Sequence, residues 1–199
     1  MKYLLFTISF CFFCCCAFGQ SSMSLEQAGS YTENGKPVPE SVREINDIND
    51  ILTPYLGTWN SSYGDKSIEI FIYRDRFEGE YSNINEDRIN FTYKIFDLNN
   101  NVLISSESPG LRYAFGLYYR PSTSDYILYL RDACRDNKSV ILRPYTELTY
   151  GGVGNVEKMK FIVMPPIMGG TYSSLDNFSN CSSVADLLPS NEVLTLTKQ

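Results

Sequence analysis

The sequence predicts an all-β protein: a meander of short antiparallel strands, closed as a barrel or stacked as a sandwich, with one short helix before it. Three observations lead there. Beyond residue 59, apolar residues recur at every second position, as in Ile68, Ile70 and Ile72 or Ile89, Phe91, Tyr93 and Ile95. That is the side-chain period of a strand. Turn-forming residues separate these runs at short intervals, the pattern of a barrel or sandwich. A helical pattern occurs once, ahead of Pro54. Closing such a sheet would also hide its edges from other chains.

The elements follow in order. Lys2 and the apolar run Tyr3 to Phe18 read as a secretory signal peptide, with Ala17-Phe18-Gly19 supplying small residues for cleavage before Gln20. The run falls short of the about 20 apolar residues of a membrane span. Cys11, Cys14, Cys15 and Cys16 lie within it, preceded by bulky Phe residues rather than the small ones of a lipoprotein signal. The expected layout is a signal peptide over 1–19, a flexible linker over 20–40 and one domain over 41–199. The mature chain is expected in the periplasm or outside the cell, with no transmembrane segment.

Gly29, Gly35, Pro37 and Pro39 mark the linker. Ser41 and Glu44 have capping-box spacing, and Ile45, Ile48, Ile51 and Leu52 continue a helical period that Pro54 ends. Strands are then expected at 66–73, 76–81 and 89–95, with a turn at Asn99-Asn100-Asn101. Further strands are expected at 102–105, 111–119, 126–131, 139–143, 157–164 and 193–198. Between Met164 and Asn191, Pro165-Pro166, Gly169-Gly170 and many Ser and Asn read as one long loop.

Composition narrows function. Seventeen basic residues face 23 acidic ones, for a formal charge of −6. An acidic surface argues against nucleic-acid phosphates and anionic membranes. The chain has no His. That removes Ser-His and Cys-His nucleophile pairs and the commonest transition-metal ligand. No phosphate-cradling Gly loop or nucleophile elbow is present, so neither a cofactor nor a metal is expected, and an enzyme is not the expected class. Beyond the leader only Cys134 and Cys181 remain. In an oxidising compartment they would form a disulfide, closing a loop worth on the order of 4 kcal/mol in the chain-entropy model; two buried free thiols are the alternative.

Leu56-Gly57-Thr58-Trp59 holds the only Trp, after the helical run and before the strands. With the leader ending before Gln20 and the closing Pro189-Ser190-Asn191-Glu192-Val193-Leu194-Thr195-Leu196-Thr197-Lys198-Gln199, the chain resembles a family of short exported proteins common in flavobacteria and other Bacteroidetes. That family is known only as a lipocalin-like domain of unknown function. The Gly-x-Trp triplet also resembles the opening of the first strand in lipocalins. The resemblance implies an up-and-down antiparallel β-barrel, with Trp59 plugging its closed end and Lys198 packed over the indole. It carries no activity to this chain.

Candidate binding residues come from the strands. Arg112 shares a face with Ala114 and Gly116, whose small side chains leave room for a ligand or for a tightly packed element. With Tyr113 and Phe115 they form the candidate ligand set, Arg112 being the group to hold a carboxylate. Arg120, Arg131 and Arg143 lie at neighbouring strand ends. The carboxylates of Glu78 and Glu80 share a strand face, which reads as solvated surface rather than a Ca²⁺ site. The expected function is an exported non-catalytic binding protein for a small hydrophobic or lipid-like ligand, held in an apolar cavity of at least ~300 Å³ inside the barrel, which a core filled by its own aromatics would rule out. The alternative is an interaction or inhibitor module that meets an envelope protein through the 164–191 loop.

Overall fold

A computed structural model describes residues 21–79, 83–106, 114–131, 137–148, 155–164, 188 and 193–199. The elements are β1 (Ser21–Ser24), α1 (Leu25–Glu33), β2 (Val42–Asn46), a 3₁₀ turn (Thr53–Tyr55), β3 (Gly57–Tyr63), β4 (Lys66–Glu78), β5 (Asn85–Phe96), β6 (Val102–Ser105), β7 (Ala114–Arg120), β8 (Asp125–Arg131), β9 (Asn137–Leu148), β10 (Asn155–Val163) and β11 (Val193–Lys198). The described chain is mostly strand, so the all-β expectation holds. All strands join one sheet in the order β1-β2-β5-β4-β3-β11-β10-β9-β8-β7, with β6 beside β5 and one further pairing of β5 with β7 at Asn90 and Phe115. Among the described residues no helix is long and apolar enough to cross a membrane.

Two expectations are corrected at the N-terminus. The segment 41–52 is not a helix. Val42–Asn46 is a strand, paired in parallel with β5 (Glu44 with Asn85, Ile45 with Glu86) and with β1. Val42 and Ile45 are buried, whereas Ile48 is 70% exposed. The Glu44 carboxylate meets Arg76 and Asn85 instead of capping a helix. Asp47 takes over the local backbone, accepting from Ile51 N at 2.6 Å and Leu52 N at 3.1 Å.

The helix lies earlier, within the stretch read as linker. Ser24 is its N-cap: the Ser24 hydroxyl accepts from Gln27 N, and the Gln27 side chain accepts from Ser24 N. This reciprocal pair satisfies two otherwise orphaned donors. α1 buries Leu25, Ala28 and Gly29 and gives way past Asn34 to Gly35 at φ +64°. Gly29 has to be glycine, because a Cβ there would lie 2.1 Å from Tyr119 O on β7.

The meander follows the period-two pattern. β3 and β4 form a hairpin across Gly64-Asp65, with Trp59 opposite Ile70 and Ser61 opposite Ile68. β4 and β5 pair from Ser67–Phe96 to Glu78–Asn85. β4 runs unbroken to Glu78, where separate strands were expected at 66–73 and 76–81, because its charged end has partners. Arg74 pairs with Asp47 at 3.0 Å and Asp50 at 2.8 Å, and Arg76 with Asp87 at 2.6 Å. The inner face gathers Ile68, Ile70, Ile72, Ile89, Phe91 and Ile95 with Met159, Phe161, Val163, Leu194 and Leu196 into one buried cluster. Phe91 and Phe161 meet edge to face at 6.3 Å.

Candidate binding site

Trp59 lies in the core where β3 runs between β4 and β11. Its side chain is fully buried, and Nε1 donates to Tyr55 O at 2.8 Å. Lys198 is its register partner on β11 and places Nζ 5.4 Å from the indole centroid. Glu157 holds the same ammonium at 2.5 Å. Gly57 sits at φ +116°, and a Cβ there would crowd Lys198 Cε at 3.1 Å. Gly57, Trp59 and Lys198 therefore form one unit: the glycine admits the lysine stem, and the ammonium rests on the ring. A cation on an indole face contributes about 0.5–2 kcal/mol, depending on burial.

Beside it lies a buried polar knot. Asp125 is 1% exposed and receives two bonds from Arg143, at 2.6 Å and 2.8 Å, and one from the Thr123 hydroxyl at 2.6 Å. Burial pushes the Asp125 carboxyl up, but the Arg143 and Thr123 bonds outweigh it and hold the group below the usual range. Tyr55 donates to Ser124 O at 2.9 Å and meets Tyr126 edge to face at 5.8 Å. Burial raises both phenols, so both stay neutral. Arg143 is thus committed to an internal carboxylate.

The candidate ligand set divides. Arg112 and Tyr113 lie outside the described residues, as do Glu80, Cys134 and Cys181, and 165–187 and 189–191 of the long loop. Ala114 and Phe115 lie on β7, Phe115 opposite Tyr129 and Asn90. Gly116 is buried, and the room beside it is already filled: a Cβ there would meet the Tyr126 hydroxyl at 2.6 Å and Ile89 O at 2.7 Å. Of the two uses foreseen for small residues here, the structure places a packed element at Gly116.

The interior where a ligand cavity was expected is occupied by the buried core cluster, and an apolar pocket lies instead beneath α1. It has a volume of about 250 Å³, and Leu25, Ala28, Ile45, Phe77, Ile84 and Leu117 supply its apolar wall. Glu86 and Tyr118 are polar members of the lining. Glu86 sits on β5 between Ile45 of β2 and Phe77 of β4. Burial raises its carboxyl to about 7, Arg88 pulling it back and Asp87 adding to the rise. A carboxyl with so raised a pKa beside an apolar wall holds or releases a proton near neutrality. Sequence reading missed this pocket because it is built by β2 and α1, the two elements placed wrongly. The Ser24–Gln27 spacing was the available signal for α1.

Among the described residues no group of three His, Cys, Asp or Glu is placed to hold a metal. No protein-family model, no curated protein and no solved structure matches this chain.

Proposed function

We propose that the chain is an exported, non-catalytic binding protein of lipocalin-like build that takes a small hydrophobic or amphipathic ligand beneath α1. The carrying observation is the pocket itself: an apolar wall with one half-buried carboxyl, Glu86, in its lining. Ligand pockets commonly combine apolar surface with few polar groups that fix orientation. The volume lies below the ~300 Å³ low end of such pockets, so the ligand is small or reaches out past α1. An amine or hydroxyl on its polar end suits Glu86.

In this reading the sheet curls into a barrel, with the β5–β7 pairing at Asn90 and Phe115 as its seam. Its inner face, held by Trp59, Phe91, Phe161 and their aliphatic neighbours, serves folding rather than ligand capture. Export rests on the leader, and the absence of catalysis on the lack of His and of any nucleophile motif.

The test is native mass spectrometry of the protein recovered from the envelope of the cells that make it, compared with its denatured mass. An excess native mass of small-molecule size, lost in the Gly29→Ala protein, is expected. A native mass equal to the bare polypeptide contradicts the proposal.

A further inference from the structure

The outer face of β10, β11, β3, β4 and β5 carries a second surface, separate from the α1 pocket. One cross-strand row reads Lys158, Thr197, Asn60, Glu69, Lys94, each residue opposite the next. The neighbouring row reads Thr58, Phe71, Thr92. A depression of about 770 Å³ lies over the first row, lined by Asn60, Ser62, Glu69, Lys158, Thr195 and Thr197 among others. A smaller hollow of about 240 Å³, lined by Thr58, Glu69, Phe71, Thr92, Tyr93 and Lys94, shares Glu69 with it.

Two features of this surface are not explained by folding. Phe71 and Tyr73 stand out from β4 at 49% and 38% exposure. Their rings lie 5.9 Å apart and 24° from parallel, stacked on one another with part of each left open to solvent. In addition, Asn60, Glu69, Thr195 and Thr197 make no side-chain hydrogen bond or ion pair with another described residue. A carboxylate, an amide and two hydroxyls are thus held in line by sheet register yet remain unspent on one another.

The chemistry of the row selects among ligands. Donors and acceptors of both kinds are present, as a polyol requires. Glu69 sits across from Lys94, and Lys158 is paired with Glu147, so no single-sign field gathers for a polyanion. An apolar peptide would cover the row and leave its polar groups without partners, which is costly. A sugar satisfies both parts: its hydroxyls reach the amide and carboxylate, and its C–H face lies on an aromatic ring.

We propose that this outer groove binds an extended, uncharged oligosaccharide. Phe71 and Tyr73 stack on sugar rings, while Asn60 and Glu69 hold hydroxyls of the adjoining residue in the larger depression. Binding is non-covalent and goes beyond the α1 pocket, whose occupancy it does not require.

The test is a titration of the ¹⁵N-labelled protein with cellohexaose, mannohexaose, xylohexaose and maltohexaose, followed by amide chemical shifts. At least one is expected to bind saturably at sub-millimolar concentration, with shifts centred on Asn60, Glu69, Phe71 and Thr92. The Phe71→Ala/Tyr73→Ala protein should then bind at least tenfold more weakly, and Glu69→Gln at least threefold more weakly with the fold intact. No saturable shift from any of the four overturns the proposal. So do shifts centred on α1, tighter binding of heparin than of every neutral sugar, or undiminished binding by Glu69→Gln.

Discussion

The two faces of β4 come from the same thirteen residues and serve different ends. On one side Ile68, Ile70 and Ile72 are each at most 1% exposed. On the other, Phe71, Tyr73 and Phe77 remain 49%, 38% and 37% exposed. Burying an aliphatic side chain contributes roughly 1.5–3 kcal/mol, so the isoleucine side pays for folding. The aromatic side recovers only part of that. Phe77 is partly used, with Arg88 4.0 Å over its ring and a place in the lining of the α1 pocket. Phe71 and Tyr73 stack mainly on each other. The contrast teaches that stability and binding are divided by strand parity, the inner positions filled and the outer ones open.

The largest expected effect is on the inner side. Trp59→Ala removes a fully buried indole together with its bond to Tyr55 O and the seat of Lys198. It should cost about 3–5 kcal/mol in urea unfolding. A loss under about 1 kcal/mol would mean that Trp59 does not help to hold the core together.

The next effect falls at α1. Gly29→Ala drives a Cβ to within 2.1 Å of Tyr119 O and 2.9 Å of Pro121 Cδ, both fixed by β7 and its turn. Overpacking of this kind costs about 1–3 kcal/mol. α1 should lift, with faster amide exchange over Leu25–Glu33 and loss of any ligand bound beneath it, while Trp59 fluorescence stays unchanged. Unaltered exchange in α1 would break the link between helix seating and the pocket.

A smaller effect depends on pH. The folded-state carboxyl of Glu86 is raised to about 7, by burial first and by Asp87 after it, from an ordinary value of 4.5. The folded protein therefore holds this proton more tightly than the unfolded chain does. The associated stability is full below about pH 4.5 and is lost as pH rises towards about 7, with no further change above. Glu86→Gln should flatten stability over that window. An unchanged slope would show that Glu86 is ordinarily hydrated.

Much of this division was readable from parity alone. Ile68–Ile70–Ile72 and Ile89–Phe91–Tyr93–Ile95 are buried as the period-two pattern predicts, and β6 and β11 have the expected bounds. Lys198 lies over Trp59, where the lipocalin resemblance implied. The N-terminal region was misread for physical reasons. Val42–Asn46 is only five residues long, and its pairing is parallel to β1 on one side and β5 on the other, with β5 distant in sequence. A run that short satisfies a helical and a strand period about equally well. α1 carries little apolar weight, burying only Leu25, Ala28 and Gly29, and its capping box was the stronger signal. The outer groove was not legible at all, because the row Lys158-Thr197-Asn60-Glu69-Lys94 draws one residue from each of five strands and exists only once register is set.

The most direct test of the division is urea unfolding of Ile70→Ala beside Phe71→Ala/Tyr73→Ala. A loss of about 2–5 kcal/mol is expected for the single inner change and under about 1 kcal/mol for the double outer one. Equal losses, or a larger loss from the outer pair, would show that Phe71 and Tyr73 are part of what folds the protein and that strand parity does not separate stability from binding.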